Sequence, residues 1–181
     1  IANFSGSGST QVIQNGNTSD GIIWNILYSN KEIDFAKNFT ISVDVLLNAR
    51  VDSGDAMALV GVEEKGIVLG GKKADSGVCE LTTGPEHGTK IRMDSRGHGN
   101  SVDKNIGTLN GKMVVIYDSS TSIITCQFGG EEISLKLEQI PGNFVLTLRS
   151  GIHKISYNME ESNGAGEFTV KYDNLNLTIK P

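Results

Sequence analysis

Positive charge is in short supply: 16 Lys and Arg stand against 21 Asp and Glu, a formal net charge of −5. A surface of that sign repels phosphate backbones and anionic lipid alike, so nucleic-acid binding is excluded as a partner class. No apolar run approaches the ~20 residues needed to cross a bilayer, which excludes membrane insertion by a helix. No charged-then-apolar leader opens the sequence, as expected of a chain met in mature or trimmed form. Cys79 and Cys126 are the only thiols, too few for a disulfide-built scaffold and without the CxxC spacing of zinc or redox sites. Three prolines beside 22 glycines suit tight turns between short strands rather than a disordered linker. Aromatics are only 6%, with Trp24 the single tryptophan, so ring platforms for stacking a sugar are scarce. Trp24, between Ile22-Ile23 and Ile26-Leu27, reads as a core residue.

What is present is alternation. Phe39-Thr40-Ile41-Ser42-Val43-Asp44-Val45 is apolar at every odd position and polar at every even one, the pattern of a half-buried strand. Similar runs are 21–28, 56–62, 89–93, 112–117, 122–128, 143–148, 152–157 and 167–179. Turn signals fall between them, among them Asn15-Gly16-Asn17, Asp52-Ser53-Gly54-Asp55, Asn110-Gly111, Gly129-Gly130 and Pro141-Gly142. The nearest approach to a helical stripe is 131–139, and it is short. The expectation is an all-β, two-sheet antiparallel sandwich in one domain over residues 1–181, the size of a module of a larger secreted protein. In the last strand, Phe168, Val170 and Tyr172 share one parity and Leu175, Leu177 and Ile179 the other. That requires a bulge near Asp173-Asn174, or a strand passing between sheets.

Cys126 shares a face with Ile124 and Phe128, and Cys79 shares parity with Leu81. Buried free thiols and a bridge between neighbouring strands both satisfy that placement. Four sequons begin at Asn3, Asn17, Asn38 and Asn176, in a chain rich enough in Asn, Ser and Thr for chance to supply most of them.

Three stretches, in order, resemble the concanavalin A-like lectin and glucanase superfamily. The first runs from Ile33-Asp34-Phe35 through Phe39-Thr40-Ile41-Ser42-Val43 to Gly54-Asp55-Ala56-Met57-Ala58-Leu59-Val60, then Leu69-Gly70-Gly71. The second is Lys112 to Asp118 followed by Ile123-Ile124-Thr125-Cys126, and the third is Phe144 to Leu148, Gly151, and Phe168 to Leu175. The resemblance, LamG-like in its apolar strands, implies a jelly roll of about six plus seven antiparallel strands. Galactose-binding-like jelly rolls share the closing Tyr172-Asp173-Asn174 and are the structural alternative.

The resemblance also organises the chemistry. The superfamily's retaining glucanases hold two carboxylates ~5–5.5 Å apart across the glycosidic bond. Glu63-Glu64, Glu131-Glu132 and Glu160-Glu161 are adjacent pairs; in a strand, adjacent members point to opposite faces. Jelly-roll alginate-type lyases close on a Lys-x-Gly-x-Tyr strand that Arg149-Ser150-Gly151-Ile152-His153 is similar to, with Cys79-Glu80-Leu81 a second fragment. Legume-type lectins bind sugar through an Asp beside a tight turn and a glycine loop, which Asp55 and Gly70-Gly71 match. Their metal-holding Glu-x-Asp and Asp-x-x-x-Asn pattern is missing from Gly77 to Arg92. Asp55 is more simply read as an Asx-turn residue closing Asp52-Ser53-Gly54, the commoner use of such a stretch.

The most polar stretch is Gly84-Pro85-Glu86-His87-Gly88 with residues 94–105, read as a Gly-rich loop. There Arg96, His98, Asn100 and Asp103 supply the donors and acceptors that sugar hydroxyls require. Its two His and two Asp are workable metal ligands without a fixed spacing. Asp173 is a candidate for the structural calcium of some jelly-roll modules. The expected function is a non-catalytic carbohydrate-binding or adhesion module of a secreted or cell-surface protein, its partner a glycan or cell-surface ligand. The alternatives are a carbohydrate-active enzyme of the polysaccharide lyase or glycoside hydrolase type, and a structural or protein-binding module.

Overall fold

The computed structural model describes residues 10–16, 25–65, 77–95, 100–137, 143–155, 161–163 and 165–180. Its strands are β1 (Thr10–Gly16), β2 (Asn25–Ile33), β3 (Asn38–Ser53), β4 (Asp55–Glu64), β5 (Val78–Thr83), β6 (Lys90–Ser95) and β7 (Asn100–Asn105). They continue as β8 (Asn110–Asp118), β9 (Ile123–Phe128), β10 (Glu131–Lys136), β11 (Phe144–Ile155), β12 (Glu161–Asn163) and β13 (Ala165–Lys180). A six-stranded sheet runs β1-β13-β3-β8-β9-β10. A seven-stranded sheet runs β12-β11-β4-β5-β6-β7, with β2 also on β11. Every pairing is antiparallel, so the expected all-β sandwich of two sheets is the observed one. No helix among the described residues is long and apolar enough to cross a membrane.

Parity puts the core between the sheets. In β3 the odd residues Phe39, Ile41, Val43, Val45 and Leu47 are buried while their even neighbours are half-exposed. Ala56, Ala58, Val60 and Val62 of β4 and Leu146 and Leu148 of β11 meet them from the other sheet. Phe35 packs edge-on against Phe39, Tyr117 and Phe144, which places these rings inside and not on a binding surface. The seven-stranded sheet departs from simple alternation. All of β4 from Asp55 to Glu63 is buried, so both of its faces are covered.

Two ties join the sheets. Cys79 of β5 and Cys126 of β9 form a disulfide with Cα atoms 5.7 Å apart, a bridge between sheets rather than between neighbouring strands. The Tyr172 phenol of β13 crosses to the other sheet, accepting from the Leu59 amide at 3.1 Å and donating to the Arg149 carbonyl oxygen. Burial pushes this phenol far above the usual tyrosine range.

Local readings sharpen in places. Residues 100–105, expected in a loop, form the edge strand β7 paired in register with β6. Residues 131–136, within the stretch too short for a helical stripe, form β10, with Ile133 packed inward while Glu132 and Ser134 face out. The runs 143–148 and 152–157 merge into β11 as far as Ile155, since Gly151 continues the ladder opposite Met57. The break in the last strand is a bulge: β13 pairs with β3 on both sides of it, and Asn174 takes up a φ of 51°.

The disulfide spans 47 residues of sequence, for which chain-entropy arguments give about 4 kcal/mol. The Cys79→Ala, Cys126→Ala double variant is expected to lose about 2–4 kcal/mol in urea unfolding. The unfolded phenol of Tyr172 ionises near pH ~10 while the folded one stays protonated, so the native state holds the extra proton and stability falls as pH rises past ~10. Tyr172→Phe is expected to lose about 1–3 kcal/mol at neutral pH and to flatten that alkaline decline, read as urea midpoints from pH ~8 to ~11.

Candidate functional site

The site starts from a turn. Gly54, with a φ of 78°, swings the chain out of β3 so that Asp55 opens β4. The connection from β5 to β6 packs against it, closed by the Gly88 amide on the Gly84 carbonyl at 3.0 Å and by the Thr83 and Thr89 hydroxyls at 2.8 Å. A Cβ on Gly84 would run into the Gly54 carbonyl oxygen and the Asp55 side chain, so only glycine lets the two turns meet. His87 then reaches the Asp55 carboxylate twice. Its backbone amide donates to Oδ1 at 3.2 Å, and its Nδ1 bonds Oδ2. Asp55 is 1% exposed, whereas 35% of the His87 side chain is open to solvent. Donor atoms of Asp55, Glu86 and His87 all lie within 4.8 Å of one another. Asp55 is therefore no Asx-turn residue closing its own loop. It is a buried carboxylate oriented by a side chain 32 residues away.

The outer face of the seven-stranded sheet extends from this corner. The register aligns Arg149 with Leu59, Leu59 with Glu80, Glu80 with Arg92, and Arg92 with Asp103, a row across five strands in which the apolar Leu59 separates Arg149 from three residues of alternating charge. The Arg149 Nε meets Glu63 Oε2 at 2.5 Å, with both side chains at most 1% exposed. Met57, Leu59 and Val78 form a small apolar cluster among these charges. Asp103, half exposed, is held by Lys90 at 3.0 Å. On β2, Tyr28 pairs with Thr147, shares this outer face and is 47% exposed. His153 falls opposite Asp55 in the β11–β4 ladder.

Of the residues expected from sequence, Asp55 and Asp103 sit on this sheet, Asp55 at its corner and Asp103 on the β7 edge. Asn100 opens β7 opposite Ser95, with its side chain outside the description. Gly70, Gly71, Arg96, His98 and Trp24 lie outside the described residues. Asp173 is exposed at the β13 bulge and accepts from the Asn174 amide at 2.8 Å; it faces Asp44 across the ladder. Sequence reasoning passed over Glu63, which it weighed only as half of an adjacent pair. The available signal was a glutamate at the close of the apolar run 56–62.

No protein-family model and no curated protein matches the chain. Solved structures do. A legume lectin-like domain from Entamoeba histolytica superposes with a TM-score of 0.62 at 11% identity, covering 98% of this chain and 86% of that one. The fold is the concanavalin A-like jelly roll. Lectin II from Ulex europaeus shares this jelly roll with a TM-score of 0.53 at 12% identity, over 94% of this chain and 93% of that one. So does an alginate lyase of family PL7 from the marine Zobellia galactanivorans, with a TM-score of 0.56 at 9% identity over 80% of this chain. This chain spans 62% of that lyase. At such identities the likeness establishes the jelly roll and nothing finer.

The buried pair yields a test. Arg149→Met removes the guanidinium from a desolvated Glu63 and is expected to cost about 3–5 kcal/mol. Adding Glu63→Gln is expected to restore part of that loss, as read in a double-mutant cycle by urea unfolding.

Proposed function

We propose that this chain is a non-catalytic carbohydrate-binding module, displayed outside the cell, that takes its glycan at the corner where Asp55, Glu86 and His87 converge. The observation that carries this reading is the Asp55 carboxylate: buried, aimed by the exposed His87, and placed directly after a glycine turn. A sugar hydroxyl needs an acceptor whose direction is already fixed, because orienting a free side chain on binding wastes affinity. Asp55 has that fixed direction but both its oxygens are held by His87, so the part of the group open to a sugar is the His87 ring, 35% exposed. Tyr28 is an exposed ring on the same outer face, level with Gly61 and so six strand residues from Asp55, roughly 20 Å at ~3.3 Å per residue; it bears on a long glycan and not on the corner itself. The fold's occurrence in lectins supports the sugar class. Calcium enters this reading at Asp173, an exposed carboxylate at the β13 bulge and an oxygen ligand of the kind a hard cation takes.

A second reading, a polysaccharide lyase, draws on the charged outer face. Arg149 and His153 lie at the same parity of β11, in the strand that resembles the lyase motif. Histidine would move the proton, whereas the Arg149 guanidinium is buried and committed to Glu63, and so is not available to a uronate carboxylate.

A glycan array separates the two. The first reading expects binding by the wild type and about a 10–100-fold loss in Asp55→Asn, a variant that keeps the volume and one acceptor, because hydrogen bonds to charged groups contribute about 1.5–3 kcal/mol. Retention of binding in Asp55→Asn and in His87→Ala contradicts it. Ultraviolet absorbance from unsaturated uronates, abolished in His153→Ala, is the outcome that favours the lyase. Silence in both assays with capture of a host surface protein favours a protein-binding module.

A further inference from the structure

Two observations away from the ligand corner bear on how the chain is modified. The first is the Cys79–Cys126 bond. Both cysteines are fully buried between the sheets, and disulfides of this kind form and persist in oxidising compartments. The second is a pair of Asn-x-Thr sequons on neighbouring strands of the six-stranded sheet. Asn38-Phe39-Thr40 opens β3 and Asn176-Leu177-Thr178 lies in β13, with Thr178 opposite Thr40. Phe39 and Leu177, the middle residues, are core, so each sequon turns its Asn and Thr outward.

The two asparagines are not equivalent. Asn38 is half-buried, and its Oδ1 accepts from both the amide and the hydroxyl of Ser119 at 2.8 Å. Ser119 belongs to a turn that is itself tied, with Ser120 donating its amide and hydroxyl to Asp118. Asn176 is exposed, its amide makes no hydrogen bond to another described residue, and the residue opposite it is the small Ser42. A sugar attached to Asn38 must displace Ser119, whereas one attached to Asn176 projects from an open strand face.

We propose that Asn176 is an N-linked glycan acceptor and that Asn38 is not. The outer face of the six-stranded sheet then carries a glycan, which leaves recognition to the other sheet. In the transfer step, Nδ2 of Asn176 attacks the anomeric carbon of a polyprenyl-diphosphate-linked oligosaccharide. A C–N bond forms as the C–O bond to the diphosphate breaks; the amide gives up one proton and the polyprenyl diphosphate leaves. The secretory compartment that oxidises Cys79 and Cys126 supplies donor and transferase. The modification is bulky and hydrophilic, and it suits a surface position.

The test directs the chain into the secretory pathway of cultured eukaryotic cells and reads the peptides carrying Asn38 and Asn176 by mass spectrometry. Both the retained and the secreted pools are measured, before and after enzymatic deglycosylation in heavy-oxygen water. The expected result is conversion of Asn176 to labelled Asp in most disulfide-bonded chains, with Asn38 unchanged. Thr178→Ala is expected to abolish that label without moving the thermal midpoint of the unglycosylated protein. Asn176 left unmodified in most disulfide-bonded chains of either pool, or a glycan on Asn38, overturns the proposal.

Discussion

Side chains of one parity from two sheets share a single interior, and every other feature of the molecule is placed by that constraint. Phe39 to Leu47 on β3 and Ala56 to Val62 on β4 meet as two rows, the aliphatic row of one sheet against the small side chains of the other. Once the inward set is fixed, the outward set follows without freedom, since a one-residue slip would turn every core side chain to solvent. The disulfide and the Tyr172 phenol act on the same contact from within. Each links a residue of one sheet to a residue of the other, so sliding between the layers is opposed by a covalent bond and by two hydrogen bonds.

The outer face of the seven-stranded sheet is where the protein departs from the rule that polar faces are solvated. Asp55, Glu63, Glu80, Thr82, Thr147 and Arg149 are all buried there. Burying charge opposes folding unless partners are fixed, and the Arg149–Glu63 and Asp55–His87 contacts are such partners. This arrangement gives up stability to hold polar groups in fixed directions. The rings are spent differently. Phe35, Phe39, Tyr117 and Phe144 pack together inside, whereas Tyr28 is an exposed ring among the described residues.

Much of the fold was legible because alternation is a local signal. Phe39 to Val45 and Ile123 to Phe128 announce strands by themselves, and the change of parity after Tyr172 announces a bulge or a crossing between sheets, of which the structure shows the bulge. Strands that escaped notice did so for different reasons. β7 is an edge strand of Asn, Ser, Asp and Lys around one Val102 and has no alternation to read, whereas β10 does alternate, Ile133 and Leu135 about Ser134, but over only six residues. The site was legible in part. Asp55 stood out beside a glycine turn, and Glu86-His87 in a polar stretch, but no spacing joined them. Their meeting depends on Gly84 admitting the Asp55 carboxylate, a tertiary contact that no period in the sequence encodes. The bridge from Cys79 to Cys126 was likewise one of two readings until the two sheets were set face to face.

The central claim, that recognition is built on the corner held by Asp55 and His87, is tested most directly by amide chemical-shift mapping. Titrating the labelled protein with an oligosaccharide selected on the array is predicted to move Gly54, Asp55, Gly84, His87 and Gly88 first and furthest. Shifts confined to the outer face of the six-stranded sheet, around Ser42, Val114 and Gln127, with that corner unmoved, would contradict the account.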